Sequence, residues 1–170
     1  MGSLLNKVIK IDRGGPESRV GLLIAAESDY IALLTKDDGV VYYNLHHIKS
    51  VTENVKKGLE FDLFVADDFD FYHEKDLQSV LQKLMYRWVK INRGGPEKLE
   101  GILDAVHEDY ITVVSNEEVI RVSTFHLRNI SYGGKMMKQK EEKDTNEEKD
   151  KNKNNKGSRE IQLISSNKNK

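Results

Sequence analysis

The chain has no cysteine among its 170 residues. Disulfides, thiolate zinc sites and cysteine nucleophiles are therefore excluded. Long apolar runs are also missing. Nothing approaches the roughly 20 apolar residues a membrane helix needs, so no membrane insertion is expected. The opening MGSLLNKVIKIDR has no apolar core of about 7–15 residues before a small-residue cleavage pattern, and does not read as a secretory signal. Clustered positive charge is absent from most of the chain. Residues 133–170 carry 11 Lys and Arg against 7 Asp and Glu, a net of +4; the whole chain carries -1, which leaves -5 for residues 1–132. A mildly acidic body argues against a dedicated duplex-DNA binder, which needs grouped Lys and Arg to displace counterions. Proline is scarce too. There are two in the chain, Pro16 and Pro96, and both stand in the same five-residue motif.

That motif, RGGPE, marks a duplication. Residues 9–35 and 89–115 match at thirteen of 27 positions, including Lys10/Lys90, Gly21/Gly101, Leu23/Leu103 and the run Asp29-Tyr30-Ile31 against Asp109-Tyr110-Ile111. One deletion in the second copy then changes the offset from 80 to 79, and His47-Ile48-Lys49 faces His126-Leu127-Arg128. Two copies argue against a solenoid, which needs three or more.

Within each copy the pattern is β. VIKI/WVKI, GLLIAA/GILDAV, YIALL/YITVV, VVYY/VIRV and HIKSVT/HLRNIS are short runs rich in β-branched and aromatic residues, separated by turn residues. Five tight strands suggest a small bent barrel, SH3-like or Sm-like, because closure removes exposed edges. Between the copies, Leu59, Phe61, Leu63 and Phe64 suggest an extra strand, followed by the acidic ADDFD. Apolar residues at 77, 80, 81, 84, 85 and 88 lie on one helical face. The spacing predicts a helix over residues 75–87 whose apolar face covers both barrels. The expected organisation is a first barrel over residues 1–55, an acidic linker over 56–74, helix plus second barrel over 75–133, and a disordered charged tail over 134–170. The tail holds the run KQKEEKDTNEEKDKNKNNKG, too polar to offset chain entropy. The fold class is thus mainly β, two tandem five-stranded barrels with a connecting helix.

Two readings of RGGPE stand side by side. In the first, Gly14-Gly15 and Gly94-Gly95 supply positive φ, Pro16 and Pro96 fix a corner, and Arg13/Arg93 pair locally with Glu17/Glu97. In the second, the exposed amides of the loop cradle an anion, or the turn serves as an interaction surface. Asp29, Asp109, His47 and His126 recur as polar positions. Adjacent His46 and His47 point to opposite faces if extended and cannot share a metal; His47 and His126 read as packed rings bonded to backbone. Asp67, Asp68 and Asp70 lack the calcium-loop spacing. No nucleophile–base pair and no phosphate or dinucleotide fingerprint is present, so no catalytic, cofactor or metal site is expected.

The units VIKIDRGGPESRVGLLIAAESDYIALLTKDDGVVYYNLHHIKSVT and VKINRGGPEKLEGILDAVHEDYITVVSNEEVIRVSTFHLRNIS, with the intervening VADDFDFYHEKDLQSVLQKLMYRWVKINRGGPE, resemble the repeats of the spore coat protein B family of endospore-forming bacteria. The resemblance covers roughly residues 6–134. It implies a non-enzymatic structural component of the outer spore coat, made in the mother cell and assembled on the forespore surface. It also implies other coat proteins as partners, among them a kinase-like coat protein that modifies a Ser-rich tail. Here the hydroxyl side chains beyond Gly134 are Thr145, Ser158, Ser165 and Ser166, so a heavily modified tail is not carried over. Homo-oligomers are expected to form through the edge of the fourth and fifth strands, VVYYNLHHIKS. The alternatives are an Sm-like nucleic-acid module or a generic cytoplasmic adaptor. Against the first, SDYIAL/EDYITV lack the Asn, and NLHHIK/STFHLR the Arg-Gly pair, of RNA-binding Sm loops.

Overall fold

In the computed structural model, residues 1–56, 59 and 69–132 are described. Residues 60–64 of the expected extra strand, most of the acidic loop and the tail with its IQLI island lie outside them. Residues Met1–Gly134 form one compact unit.

The first repeat runs β1 (Val8–Ile11), β2 (Arg19–Ala26), β3 (Tyr30–Thr35), β4 (Gly39–Asn44) and β5 (Val51–Thr52). A helix α1 (Leu77–Lys83) leads into the second: β6 (Trp88–Ile91), β7 (Leu99–Val106), β8 (Tyr110–Ser115), β9 (Glu118–Ser123) and β10 (Asn129–Tyr132). All ten strands belong to one sheet, in the order β5-β1-β2-β3-β4-β10-β6-β7-β8-β9. The two expected barrels are therefore not separate sheets. They are halves of one, joined where β4 pairs antiparallel with β10. Each half repeats the same internal order: fifth strand, first, second, third, fourth.

Local chemistry explains the matching halves. The second strand of each carries the same irregularity, between Leu23 and Ala25 and between Leu103 and Ala105; such bulges bend a strand and increase its twist. Gly21 and Gly101 sit where a Cβ would run into the backbone carbonyls of Leu34 and Val114. Asp12 and Asn92 hold φ of 51° and 50°, a region that Asp and Asn tolerate better than most residues. From there the Asp12 N–H donates to Ser50 O at 2.9 Å and the Asn92 N–H to Asn129 O at 3.0 Å. Each Asp/Asn thus ties the end of its first strand to the start of its fifth.

The core divides unequally. Ile9, Ile11, Leu23, Ile31, Leu33, Val41 and Tyr43 form the interior of the first half. The opposite faces of β3 and β4, through Tyr30, Ala32, Leu34, Val40 and Tyr42, join the larger core of α1 and the second half. These two strands are buried on both sides.

Helix α1 is shorter than the predicted 75–87. Asp76 caps it, its carboxylate accepting from the Ser79 N–H at 2.7 Å; hydrogen bonding from the Ser79 side chain first, and from its backbone N–H second, holds the Asp76 carboxyl below the usual range. The helix stops because Leu84 closes the last turn and Tyr86 takes φ 64°. Leu77, Val80, Leu81 and Leu84 are buried as the periodicity predicts, but Trp88 starts β6 and is 53% exposed. Seven residues are too few for an independent helix. Burial of those four side chains, worth roughly 1.5–3 kcal/mol each before chain entropy, holds it in place.

Candidate interaction seam between the repeats

The seam starts from a ladder. Tyr43, Tyr42, Val41 and Val40 of β4 face Asn129, Ile130, Ser131 and Tyr132 of β10, and the Asn44 N–H donates to Arg128 O at 3.0 Å. The Tyr42 and Tyr132 rings stack at 6.2 Å, and Tyr72 packs on Tyr132 at 5.3 Å. The Tyr42 hydroxyl donates to Tyr72 O and the Tyr30 hydroxyl to Glu74 O, both at 2.7 Å. These two bonds fix the segment before α1 against the first repeat. Burial raises the pKa of Tyr42, Tyr43, Tyr30 and Tyr132 above the ordinary phenol value. At neutral pH they act as neutral packing and donor groups.

Charges close the seam on one side. Asp38, 3% exposed at its side chain, is gripped from two directions. Arg19 of its own repeat donates through Nε at 3.1 Å, and Arg93 of the other repeat forms an ion pair with it. Arg128 of the second repeat pairs with Glu17 of the first. The Arg–Glu pairing expected inside each RGGPE turn thus runs between the repeats instead. Asp38 and Glu17 come from the first; Arg93 and Arg128 come from the second.

The two RGGPE turns meet here. Gly94 holds φ 96°, and a Cβ on it would collide with the Pro16 carbonyl. A Cβ on Gly95 would meet the Arg128 guanidinium and the Glu17 carboxylate. Gly14 and Gly15 have nothing within 4 Å. Identical sequence has produced two backbones, with positive φ at Gly15 in one turn and at Gly94 in the other. Arg13, Pro96 and Glu97 are exposed at the far sides of their turns, and no ion-pair partner is found for Arg13 or Glu97 among the described residues.

The recurring polar positions diverge in the same way. The Asp29 carboxylate accepts from the Leu77 N–H at 3.0 Å and so helps seat α1, whereas Asp109 is exposed. His46 and His47 lie in a 3-10 turn, Leu45–His47, not in an extended segment. The His47 Nε2 donates to Phe125 O at 2.6 Å, across the seam. The His126 carbonyl accepts from Asn92 Nδ2 at 3.0 Å, and its ring meets Phe125 edge-on. Among the described residues no three His, Asp or Glu converge as a metal site. A cleft nearby is lined in part by Asp29, His46, His47, Gln78, Glu108 and Phe125.

The expected self-association edge also changes place. The β4 edge of VVYY is covered within the chain by β10. Several seam residues, Asp38, Arg19 and Tyr132, were not marked by the sequence reading, and Tyr42 was read only as part of a strand. The one usable signal was the basic position shared by Lys49 and Arg128.

A tandem β-repeat protein, its repeats fused edge to edge through charged turns, is the class that this architecture defines. The family described as the YwrJ third domain matches residues 2–51, the first repeat. Spore coat protein B of Bacillus subtilis (strain 168) is 42% identical over 144 residues, which is 84% of this chain and 37% of that protein. The chain thus spans little more than a third of that relative's length. Over that aligned length the chain is similar to spore coat protein B. No solved structure matches.

Proposed function

We propose that the protein is a structural component of the bacterial spore coat, without enzymatic activity, that assembles through protein–protein contacts on the forespore surface. The observation that carries this is the 42% identity to spore coat protein B across 84% of the chain. The architecture is in keeping with it. The clustered charged side chains at the centre of the molecule hold one repeat to the other, and that is the chemistry of a building unit rather than of a pocket. Each half has the strand order of an Sm-like barrel, fifth-first-second-third-fourth, and we read residues 1–55 and 75–133 as two such bent units. On this reading the RGGPE turns are interaction elements. The partners are other coat proteins, a kinase-like coat protein among them, and synthesis is in the mother cell.

The test is location. A fluorescent protein fused to the N-terminus, imaged through engulfment, is expected to form a cap or ring on the forespore in the outer coat. Diffuse or nucleoid-associated signal already present in growing cells would overturn the coat reading and favour an Sm-like nucleic-acid module, whose RNA binding would fall steeply with salt.

A further inference from the structure

The seam that joins the two repeats leaves a complementary half-seam at each end of the molecule. β4 gave its edge to the fifth strand of the next repeat. Its counterpart in the second repeat, β9, pairs on one side with β8 and has no partner on the other among the described residues. The counterpart of β10 in the first repeat, β5, likewise pairs with β1 alone. One end therefore offers a fourth-strand edge and the other a fifth-strand edge. We infer that a second copy of this chain docks its β5 edge onto β9, in the register of the β4–β10 seam, and that copies add head to tail.

The register can be written out. Transferring the β4–β10 pairs by the 79-residue offset places Val122 opposite Ser50, Arg121 opposite Val51, Ile120 opposite Thr52 and Val119 opposite Glu53. The charges then fall opposite one another, with Glu53, which already pairs with Lys7 at 2.8 Å, sharing that contact. The Arg93–Asp38 pair of the seam becomes Arg13 of one copy against Glu117 of the next. The Arg128–Glu17 pair becomes Lys49 against Glu97. The Tyr132–Tyr42 stack becomes Glu53 against Arg121. All three substitutions are opposite in sign, and all six side chains belong to exposed residues. A cleft already runs along the free edge of β9, lined in part by Pro96, Glu97, Leu99, Ile120 and Val122. It is the counterpart of the place where the second repeat's turn rests on Pro16 and Glu17.

Strand addition of this kind draws its affinity from main-chain hydrogen bonds. Exposed ion pairs contribute little individually, so their task is to select register and partner. The contact joins two different surfaces, which generates a ring or an open filament according to whether the rotation closes. This inference rests on the coat reading only for its purpose and can be tested apart from it.

The experiment uses the full chain and two variants, R13E/K49E and E97K/E117R, studied by sedimentation velocity. Wild type is expected to sediment above the monomer with increasing concentration. Each variant alone places like charges together and is expected to stay monomeric, with an unchanged circular dichroism spectrum. An equimolar mixture restores opposite charges at every junction and is expected to regain the wild-type distribution. A monomeric wild type at the highest soluble concentration would overturn the inference. So would variants that assemble alone, or a mixture that stays monomeric. Forespore localisation of either variant would leave the coat reading standing while the assembly reading is judged by sedimentation.

Discussion

The two repeats share a frame and differ in what covers them. In the first, the outer face of β3 and β4 carries Tyr30, Ala32, Leu34, Val40 and Tyr42, all buried under α1 and the second repeat. At the matching positions the second repeat carries Tyr110, Thr112, Val114, Val119 and Arg121. Val40 is 5% exposed and Val119 60%; Tyr42 is sealed and Arg121 is exposed. Changes of a few side chains on one face decide which repeat is interior and which is terminal. The frame itself, with its bulge, its Asp12/Asn92 corner and its RGGPE turn, is indifferent to the outcome.

Exchanging residues between repeats breaks this comparison most directly. Tyr42→Arg puts the second repeat's residue into the sealed face and is expected to destabilise the fold by about 4 kcal/mol or more, through an unpaired buried charge. The reverse exchange, Arg121→Tyr, should stay within about 0.5 kcal/mol. Chemical denaturation of the dilute, monomeric chain measures both. Next in size is the seam carboxylate. Asp38→Ala leaves Arg93 and Arg19 facing each other without their anion; with both arginines partly in water, a loss of about 2 kcal/mol is expected. Glu117→Ala, its counterpart, should be neutral in the monomer. The turns come third. Gly94→Ala is expected to cost about 1–3 kcal/mol, from positive φ and collision with Pro16. Gly14→Ala should be neutral.

The smallest effect concerns α1, which among the described residues leads into the second repeat and has no α-helical counterpart before the first. The folded pKa of Asp76 is lowered, so its capping contribution is complete above the ordinary carboxylate range. It is lost as pH falls through the lowered value. Amide protection in α1, corrected for the intrinsic exchange rate at each pH, should fall on acidification before that of β1–β4 does. Asp76→Asn, which keeps an acceptor without the charge, should flatten that dependence.

Much of this architecture was legible because the governing physics is local. Runs of β-branched and aromatic residues between turn residues placed the strands of both repeats, and the 3.6-residue period placed the buried face of α1. The end of α1 was not legible. Met85 and Trp88 continue the helical period, yet the chain turns at Tyr86 and Trp88 joins a strand, whose own period sets its exposure. The RGGPE turn was found, but its role depends on which strand edge lies beside it. Arg93 and Asp38 are 55 positions apart in sequence, and no spacing rule connects them. Asp12 and Asn92 carried a readable signal, a repeated Asp/Asn before Arg-Gly-Gly, that only the positive φ made meaningful.

The position of β10 bears on how the molecule is made. It is the last of the described strands in the chain, yet it lies in the middle of the sheet, between β4 and β6. Neither its own repeat's first strand nor the first repeat's fourth gains that neighbour until residue 132 has been synthesised. Until then two sheet edges wait unpaired in the nascent chain, and such edges are prone to find the wrong partner. Folding should therefore end with a late insertion that locks both halves at once, and a chain cut short before Asn129 should yield two unjoined halves rather than a slightly smaller protein.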